Sequence, residues 1–152
     1  WDAMHAQPIS ESYAQRFVRN NRHHVAFNAI GAESAAFTEV IPSHIDLSNG
    51  IIVSLLTSGN ESSGSIAWIL NFERITSSMQ ITSNYFGNDI PISASSLTSL
   101  NEILIQTSSI SQSQLPAGLA AGEYFRMKIT RDVTNDTLAT DAELYHCWID
   151  AI

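Results

Sequence analysis

The sequence predicts an all-β chain: an antiparallel β-sandwich, jelly-roll-like, with about eight strands and an extended or short-helical N-terminal arm. Residues 124–130 alternate apolar and polar side chains, the period of two expected of a strand with one face on a core and one in water. Other short apolar runs recur about every 8–20 residues, separated by turns rich in Gly, Asn and Ser. No segment shows the alternation of strands and helices that a parallel sheet requires.

The first three predicted strands lie in the region 23–57. Residues 23–29 alternate in polarity, and residues 37–41 end at Pro42, which has no N–H to donate to a neighbouring strand. Residues 51–57 are apolar on both faces, which is typical of a central or interface-facing strand.

The later strands are predicted by the same periodicity. Residues 66–73 give the clearest inner face, and the final strand has an ambiguous phase that a β-bulge or burial of both faces would explain. The other strand candidates are residues 81–86, 90–93, 100–106 and 124–130, with a loop or one helical turn at 111–119. The apolar faces of these predicted strands give the expected core, which contains Phe27, Val53, Trp68, Leu70, Phe72, Phe125, Met127 and Ile129.

Length and charge limit the classes of function. A chain of 152 residues fits one domain, and a net charge of -8 with a pI near 4.8 argues against a phosphate-binding face. Cys147 is the single cysteine, so we expect no intrachain disulfide and a small buried side chain. No apolar run is long enough to span a membrane. The chain begins at Trp1 instead of Met, so we expect residues before it to be missing or removed.

Residues 1–22 differ in character from residues 23–152, which we interpret as the β-sandwich domain. The segment precedes the first clear strand and holds three of the seven basic residues of the chain. One interpretation is a solvated polar arm, because short charge clusters are usually exposed. The other is an arm that docks on a neighbouring subunit or another protein of an assembly. The docking residues would be Trp1, Tyr13, Arg16, Phe17, Arg19 and Arg22.

Catalytic and metal-binding signatures are poor. No Gly-x-Ser-x-Gly motif is present, and a Ser-His-Asp arrangement stays open only because serines are numerous. We therefore predict no enzyme activity and no cofactor. The cluster with most ion-binding character is Asp132, Asn135, Asp136 and Asp141, but its spacing is not that of an EF-hand and turns demand the same residue types, so we predict no metal site.

Two further expectations concern polar and aromatic side chains. Glu73 is expected on an outer face in a cross-strand ion pair, and Arg126 and Arg131 are expected to form similar surface pairs of little energetic value. The candidate glycan contact is Asn84, Tyr85, Phe86 and Asn88, although rings in such a loop more often cap the open end of a sandwich core.

Several weak motifs follow one another along nearly the whole chain. They include Trp1-Asp2, the segment Phe37 to Pro42, the segment Gly64 to Trp68, and the block 118–144, whose core reads Ala-Ala-Gly-Glu-Tyr-Phe-Arg-Met-Lys-Ile-Thr-Arg-Asp. This order resembles a family of small, mostly uncharacterised virion structural proteins of tailed bacteriophages. The chain departs from that family at His146, where members tend to carry Gly. The resemblance implies a β-sandwich component of the virion, assembled in the host cytoplasm, without a catalytic residue.

The leading hypothesis is therefore a virion structural protein, a capsid decoration or cement protein that acts by protein–protein binding. The alternative is a receptor- or carbohydrate-binding domain of a tail appendage, with a host surface glycan as its partner, and an esterase-like enzyme is a distant third. We also predict a homotrimer, because Ile52, Leu56 and Ile69 lie on faces opposite the inferred core.

Overall fold

The computed structural model describes residues 1–8, 12–80 and 85–152. Within these ranges the chain forms nine strands and two short 3₁₀ turns, Ala3–His5 and Gln112–Gln114, the second of which lies in the predicted loop or turn at 111–119. The strands are β1 (Gln15–Arg19), β2 (Arg22–Phe27), β3 (Ser34–Val40), β4 (Ile51–Gly59), β5 (Ser65–Arg74), β6 (Ile90–Ser96), β7 (Leu104–Ile110), β8 (Tyr124–Arg131) and β9 (Ala142–Ala151).

The strands form two antiparallel sheets that pack face to face. Sheet A has the order β1-β2-β9-β4-β7, and sheet B has the order β3-β8-β5-β6. The pairs β2–β9, β3–β8, β4–β7 and β5–β6 are nested in sequence, as if one long hairpin were rolled into two layers. This nesting is a jelly-roll order, so the predicted jelly-roll-like antiparallel β-sandwich is confirmed.

The core follows the predicted strand phases. All eight residues predicted to lie inside are at most 2% exposed. Strand β8 alternates strictly between inner and outer positions up to Arg131. The irregular phase of the last strand has the expected cause, a β-bulge where the β4–β9 register shifts between Leu56 and Thr57.

The predicted strand at 100–106 is displaced along the chain. Strand β7 begins only at Leu104, and the residues before it form a turn in which the Glu102 carboxylate accepts from the Thr98 and Ser99 backbone N–H groups. Asn101 has a φ of 56°, which a strand cannot accommodate. The candidate at 81–86 lies mostly outside the described residues, and its last two residues, Tyr85 and Phe86, are not in a strand.

The expectation that residues 1–22 form an arm separate from the sandwich is wrong for the described residues. Strand β1 pairs with β2 along its whole length, and Trp1 pairs with Cys147 of β9, each donating its nitrogen to the carbonyl of the other. Asn20 and Asn21 both have positive φ, which is the backbone of a two-residue type I′ hairpin turn. The boundary drawn at residue 22 thus falls just after a hairpin turn and not at the start of the sandwich.

The Trp1 ring is part of the packing between the sheets. It lies 6.4 Å from the Phe37 ring and 5.9 Å from the Phe125 ring, centroid to centroid. Each aromatic pair contributes roughly 0.5–1.5 kcal/mol, so Trp1→Ala is expected to lower the free energy of unfolding by about 1–3 kcal/mol. The denaturant midpoint measures this loss, with Tyr13→Ala as the control because Tyr13 is 46% exposed. Equal midpoints for the two variants would contradict the packing of Trp1.

Candidate binding face of the five-stranded sheet

The outer faces of the two sheets differ in chemistry. Sheet B presents mainly polar and charged side chains outward, among them Asn71, Glu73, Ser93, Arg126 and Lys128. Sheet A presents more aromatic and aliphatic side chains, interspersed with polar ones such as Ser54, Thr107 and Ser109. We call this the outer A face, and it carries Phe17, His24, Ile52, Leu56, Ile105, Tyr145, His146 and Trp148. Its most exposed members are Ile105 at 62% and Phe17 at 48%.

The aromatic side chains of the outer A face lie in rows across its strands. The Phe17 and His24 rings stack with centroids 6.0 Å apart, and the Tyr145 ring lies 5.2 Å from His24. His146 and Trp148 form a second pair at 5.8 Å. Burial lowers the pKa of His146 below its usual value, which favours the neutral ring there.

A buried carboxylate anchors one end of this face. Glu143 is 3% exposed, and its Oε1 lies 2.6 Å from Nη2 of Arg19 while its Oε2 accepts from the Tyr145 hydroxyl at 2.7 Å. Arg19 also donates to Oδ1 of Asn101 at 2.8 Å. Desolvation, followed by the bond to Glu143, raises the pKa of Tyr145 to about 12, so its hydroxyl remains a donor at neutral pH. The network therefore holds the Glu143 carboxylate in a fixed position.

The anchored carboxylate lies in a groove of about 500 Å³. We call it the Glu143 groove, and it is lined by Phe17, Val18, Arg19, His24, Ala26, Asn60, Thr140, Asp141 and Glu143. Two polar atoms in its wall, Nδ1 of His24 and Oγ1 of Thr140, are buried without a hydrogen-bond partner. An unsatisfied buried polar atom costs about 1–3 kcal/mol, and native structures contain few of them.

The six residues predicted to dock do not lie together. Phe17 and Arg19 line the Glu143 groove, and Arg22 lines a neighbouring hollow with Leu56, Ile103 and Tyr145. Trp1 packs between the sheets, Arg16 donates to the Ala6 carbonyl, and Tyr13 is exposed elsewhere on the surface. The three apolar residues on which the trimer prediction rests are divided between the sheets, because Ile52 and Leu56 lie on sheet A and Ile69 lies on sheet B.

The predicted glycan loop lies over sheet B. Asn84 is outside the described residues, and Tyr85 and Asn88 are exposed. The Phe86 ring lies under two cations, 4.8 Å from the Arg126 guanidinium carbon and 5.2 Å from the Lys128 nitrogen. The Tyr85 N–H donates to Glu73 at 3.0 Å, so this loop covers outer charges of sheet B.

The charged side chains of the predicted surface pairs are more buried than expected. Glu73 and Arg126 form the predicted cross-strand pair at 3.1 Å, but the Glu73 side chain is 1% exposed beneath the loop. The expectation of a surface pair for Arg131 is wrong, because its side chain and that of Asp136 are each 1% exposed. Arg131 continues the inward phase of β8, so it points into the end of the sandwich.

The Asp/Asn cluster serves the turn after β8. Asp132 accepts from the Thr134 and Asn135 N–H groups, and Asp136 is engaged by Arg131. Across residues 1–8, 12–80 and 85–152, no three His, Cys, Asp or Glu side chains are grouped to hold a metal ion. Asp141 lines the Glu143 groove.

Cys147 is buried as expected of a small apolar side chain. Desolvation raises the pKa of its thiol to about 12, so it remains protonated at neutral pH. In the part of the chain that the structure describes, no helix is long and apolar enough to cross a membrane.

Comparisons with known proteins give distant likenesses only. No protein-family model matches the chain, and no curated protein matches it. Among solved structures, TmCBM61 in complex with β-1,4-galactotriose aligns with a TM-score of 0.41 and 13% identity over 86% of this chain and 71% of that chain. A chain in the crystal structure of accessory secretory proteins 1, 2 and 3 of Streptococcus pneumoniae aligns with a TM-score of 0.43 and 6% identity, over 99% of this chain and 98% of that chain. At these values neither likeness assigns a ligand or a partner to this chain.

Proposed function

We propose that the protein is a structural binding protein of a virus particle, and that it assembles with further copies of itself through the outer A face. The observation that carries the proposal is the contrast between the two sheets. Sheet B is mainly polar outside, whereas sheet A leaves Phe17, Leu56, Ile105 and Trp148 at least partly uncovered. Partly exposed apolar side chains gathered on one face favour an interaction site there.

Charge supports a second copy as the partner. The chain has a net charge of -8, yet Arg22 and His23 lie together beside Ile103 and beside Leu56 of the outer A face. An acidic surface from another copy would complement this basic corner, and complementary charge sets the register of an interface. A basic corner that meets a different, acidic patch of the next copy makes a heterologous contact, and heterologous contacts can close into a ring such as the predicted trimer.

The sequence resemblance supports a place in a virion. The block 118–144 resembles small virion proteins of tailed phages, and strand β8 lies within it. A decoration or cement protein needs a stable fold and a docking surface rather than a reactive centre. Immunogold labelling of purified particles tests this location, and particles without label would count against it.

Ile105→Lys is expected to weaken self-association strongly. Ile105 is 62% exposed at the edge strand β7, and a lysine there would place an unpaired charge in the interface. Light scattering coupled to size-exclusion chromatography should report a trimer for the wild type and a monomer for the variant at the same concentration. Ser93→Lys, which adds the same charge to the outside of sheet B, is the matched control and should stay trimeric. A wild type that is monomeric at high concentration would refute assembly through this face.

A second candidate function is recognition of a carbohydrate receptor, as in a tail appendage. The Glu143 groove favours it, because the groove combines an exposed ring with several polar groups. This candidate does not require self-association.

A further inference from the structure

We infer that the Glu143 groove is a binding site for a neutral saccharide, with Phe17 as the stacking ring and Glu143, Asn60 and Asp141 as the polar contacts. This inference rests on the second candidate function. Because Phe17 and His24 also belong to the outer A face, the site is open in the unassembled chain. The site is distinct from the loop at Tyr85–Asn88, which lies over the other sheet.

The size of the groove suits a small ligand. Its volume of about 500 Å³ falls within the roughly 300–1,000 Å³ typical of small-molecule sites. Strands β1, β2 and β9 form the floor, so the groove is built on regular structure. Asn60 and Asp141 stand at its rim, next to the ends of β4 and β9.

Glu143 and Arg19 are already held in place without a ligand. Arg19 and Tyr145 fix the Glu143 carboxylate from two sides, at 2.6 Å and 2.7 Å. A carboxylate offers about four lone-pair positions, so acceptor capacity remains after these two contacts. Arg19 likewise has more N–H donors than the bonds to Glu143 and Asn101 use. A saccharide hydroxyl, which both donates and accepts, matches this mixture.

The buried histidine gives independent support for a ligand. His24 is 4% exposed and lines the groove, but its Nδ1 has no hydrogen-bond partner. Its Nε2 lies 3.8 Å from Oε1 of Glu143. A ligand hydroxyl that reached Nδ1 would remove the cost of the unsatisfied atom.

The charge of the groove favours a neutral saccharide over an anionic ligand. The groove holds two carboxylates, Glu143 and Asp141, against the single guanidinium of Arg19, which Glu143 already neutralises. An anionic sugar or a phosphate would be repelled both here and by the net charge of -8. The Phe17 ring is 48% exposed and backed by His24, so one ring face is free to pack on the C–H face of a pyranose.

The test is an NMR titration of the ¹⁵N-labelled full chain with defined probes. Maltotriose, cellotriose and mannotriose represent neutral saccharides, sialyllactose represents anionic ones, and spermidine represents a cationic ligand. We expect at least one neutral trisaccharide to shift the amide signals of Phe17, Asn60 and Asp141. Phe17→Ala should weaken its binding roughly threefold to tenfold, as expected for loss of one ring contact.

Matched variants test whether the saccharide binds in the groove or elsewhere on the surface. Tyr85→Ala removes a ring of nearly the same exposure, 49% against 48%, and should leave binding unchanged. Asn60→Ala changes an exposed rim residue and should weaken binding without altering the denaturant midpoint. Shifts confined to Tyr85 and Asn88 would refute the groove but keep carbohydrate recognition. Binding of spermidine or sialyllactose alone, or of no probe, would refute both.

Discussion

Replacing Arg131 with methionine is expected to lower the free energy of unfolding by about 3–5 kcal/mol, because it leaves a buried charge without its partner. The Arg131 guanidinium makes two bonds to the Asp136 carboxylate, at 3.0 Å and 2.7 Å. It also donates to the backbone carbonyls of Phe27, Thr140 and Leu138. These bonds tie the 132–141 connection to the end of the sandwich.

Chemical denaturation measures the loss, and two further variants identify its cause. Arg74→Met removes a surface pair with Glu123, in which both side chains are 31% exposed, and should cost no more than about 1 kcal/mol. Adding Asp136→Asn to Arg131→Met should recover part of the stability, because it neutralises the orphaned carboxylate. Equal denaturant midpoints for Arg131→Met and Arg74→Met would show that the Arg131 side chain does not stabilise the fold more than a surface ion pair does.

Trp68→Ala is expected to cost about 3–5 kcal/mol, the usual range for a fully buried aromatic side chain. The Trp68 ring is 0% exposed and packs edge-on to Phe27 of the other sheet, with centroids 4.9 Å apart. Its Nε1–H donates to Oε1 of Gln106 at 2.9 Å. Gln106 is itself buried on β7 and also bonds Thr57 and the Ile66 carbonyl, so this polar cluster joins sheet A to sheet B.

Trp68→Phe separates packing from hydrogen bonding. It keeps a ring in the core and leaves Gln106 bonded to Thr57, so we expect a loss smaller than that of the alanine variant. Equilibrium unfolding followed by circular dichroism measures both. A midpoint for Trp68→Ala no lower than that of the surface variant Tyr85→Ala would contradict burial of the ring.

The candidate site was largely missed from the sequence, although some of its signals were there. Phe17 and Arg19 were singled out, but as parts of an arm, because β1 is short and carries basic residues on both faces. The pair Asn20-Asn21 was the overlooked signal, since such residues favour the positive φ of a two-residue hairpin. No motif or pattern in the sequence marks Glu143 as a binding residue. Its importance comes from Arg19 and Tyr145 meeting it across the sheet.

The alternation of apolar and polar residues is enough to predict the sandwich and the inner face of its clearest strands. Alternation is a local property, so Phe125, Met127 and Ile129 could be placed inside without knowing what they contact. The same alternation predicts that Arg131 points inward. Only the fold shows that its guanidinium group there donates hydrogen bonds to Asp136 and to three backbone carbonyl groups. The tertiary structure also decided that Trp1 lies beside β9 and that Arg19 reaches Glu143, because such pairs join opposite ends of the chain. Local pattern reports which way a side chain points, whereas long-range pairing decides what it meets.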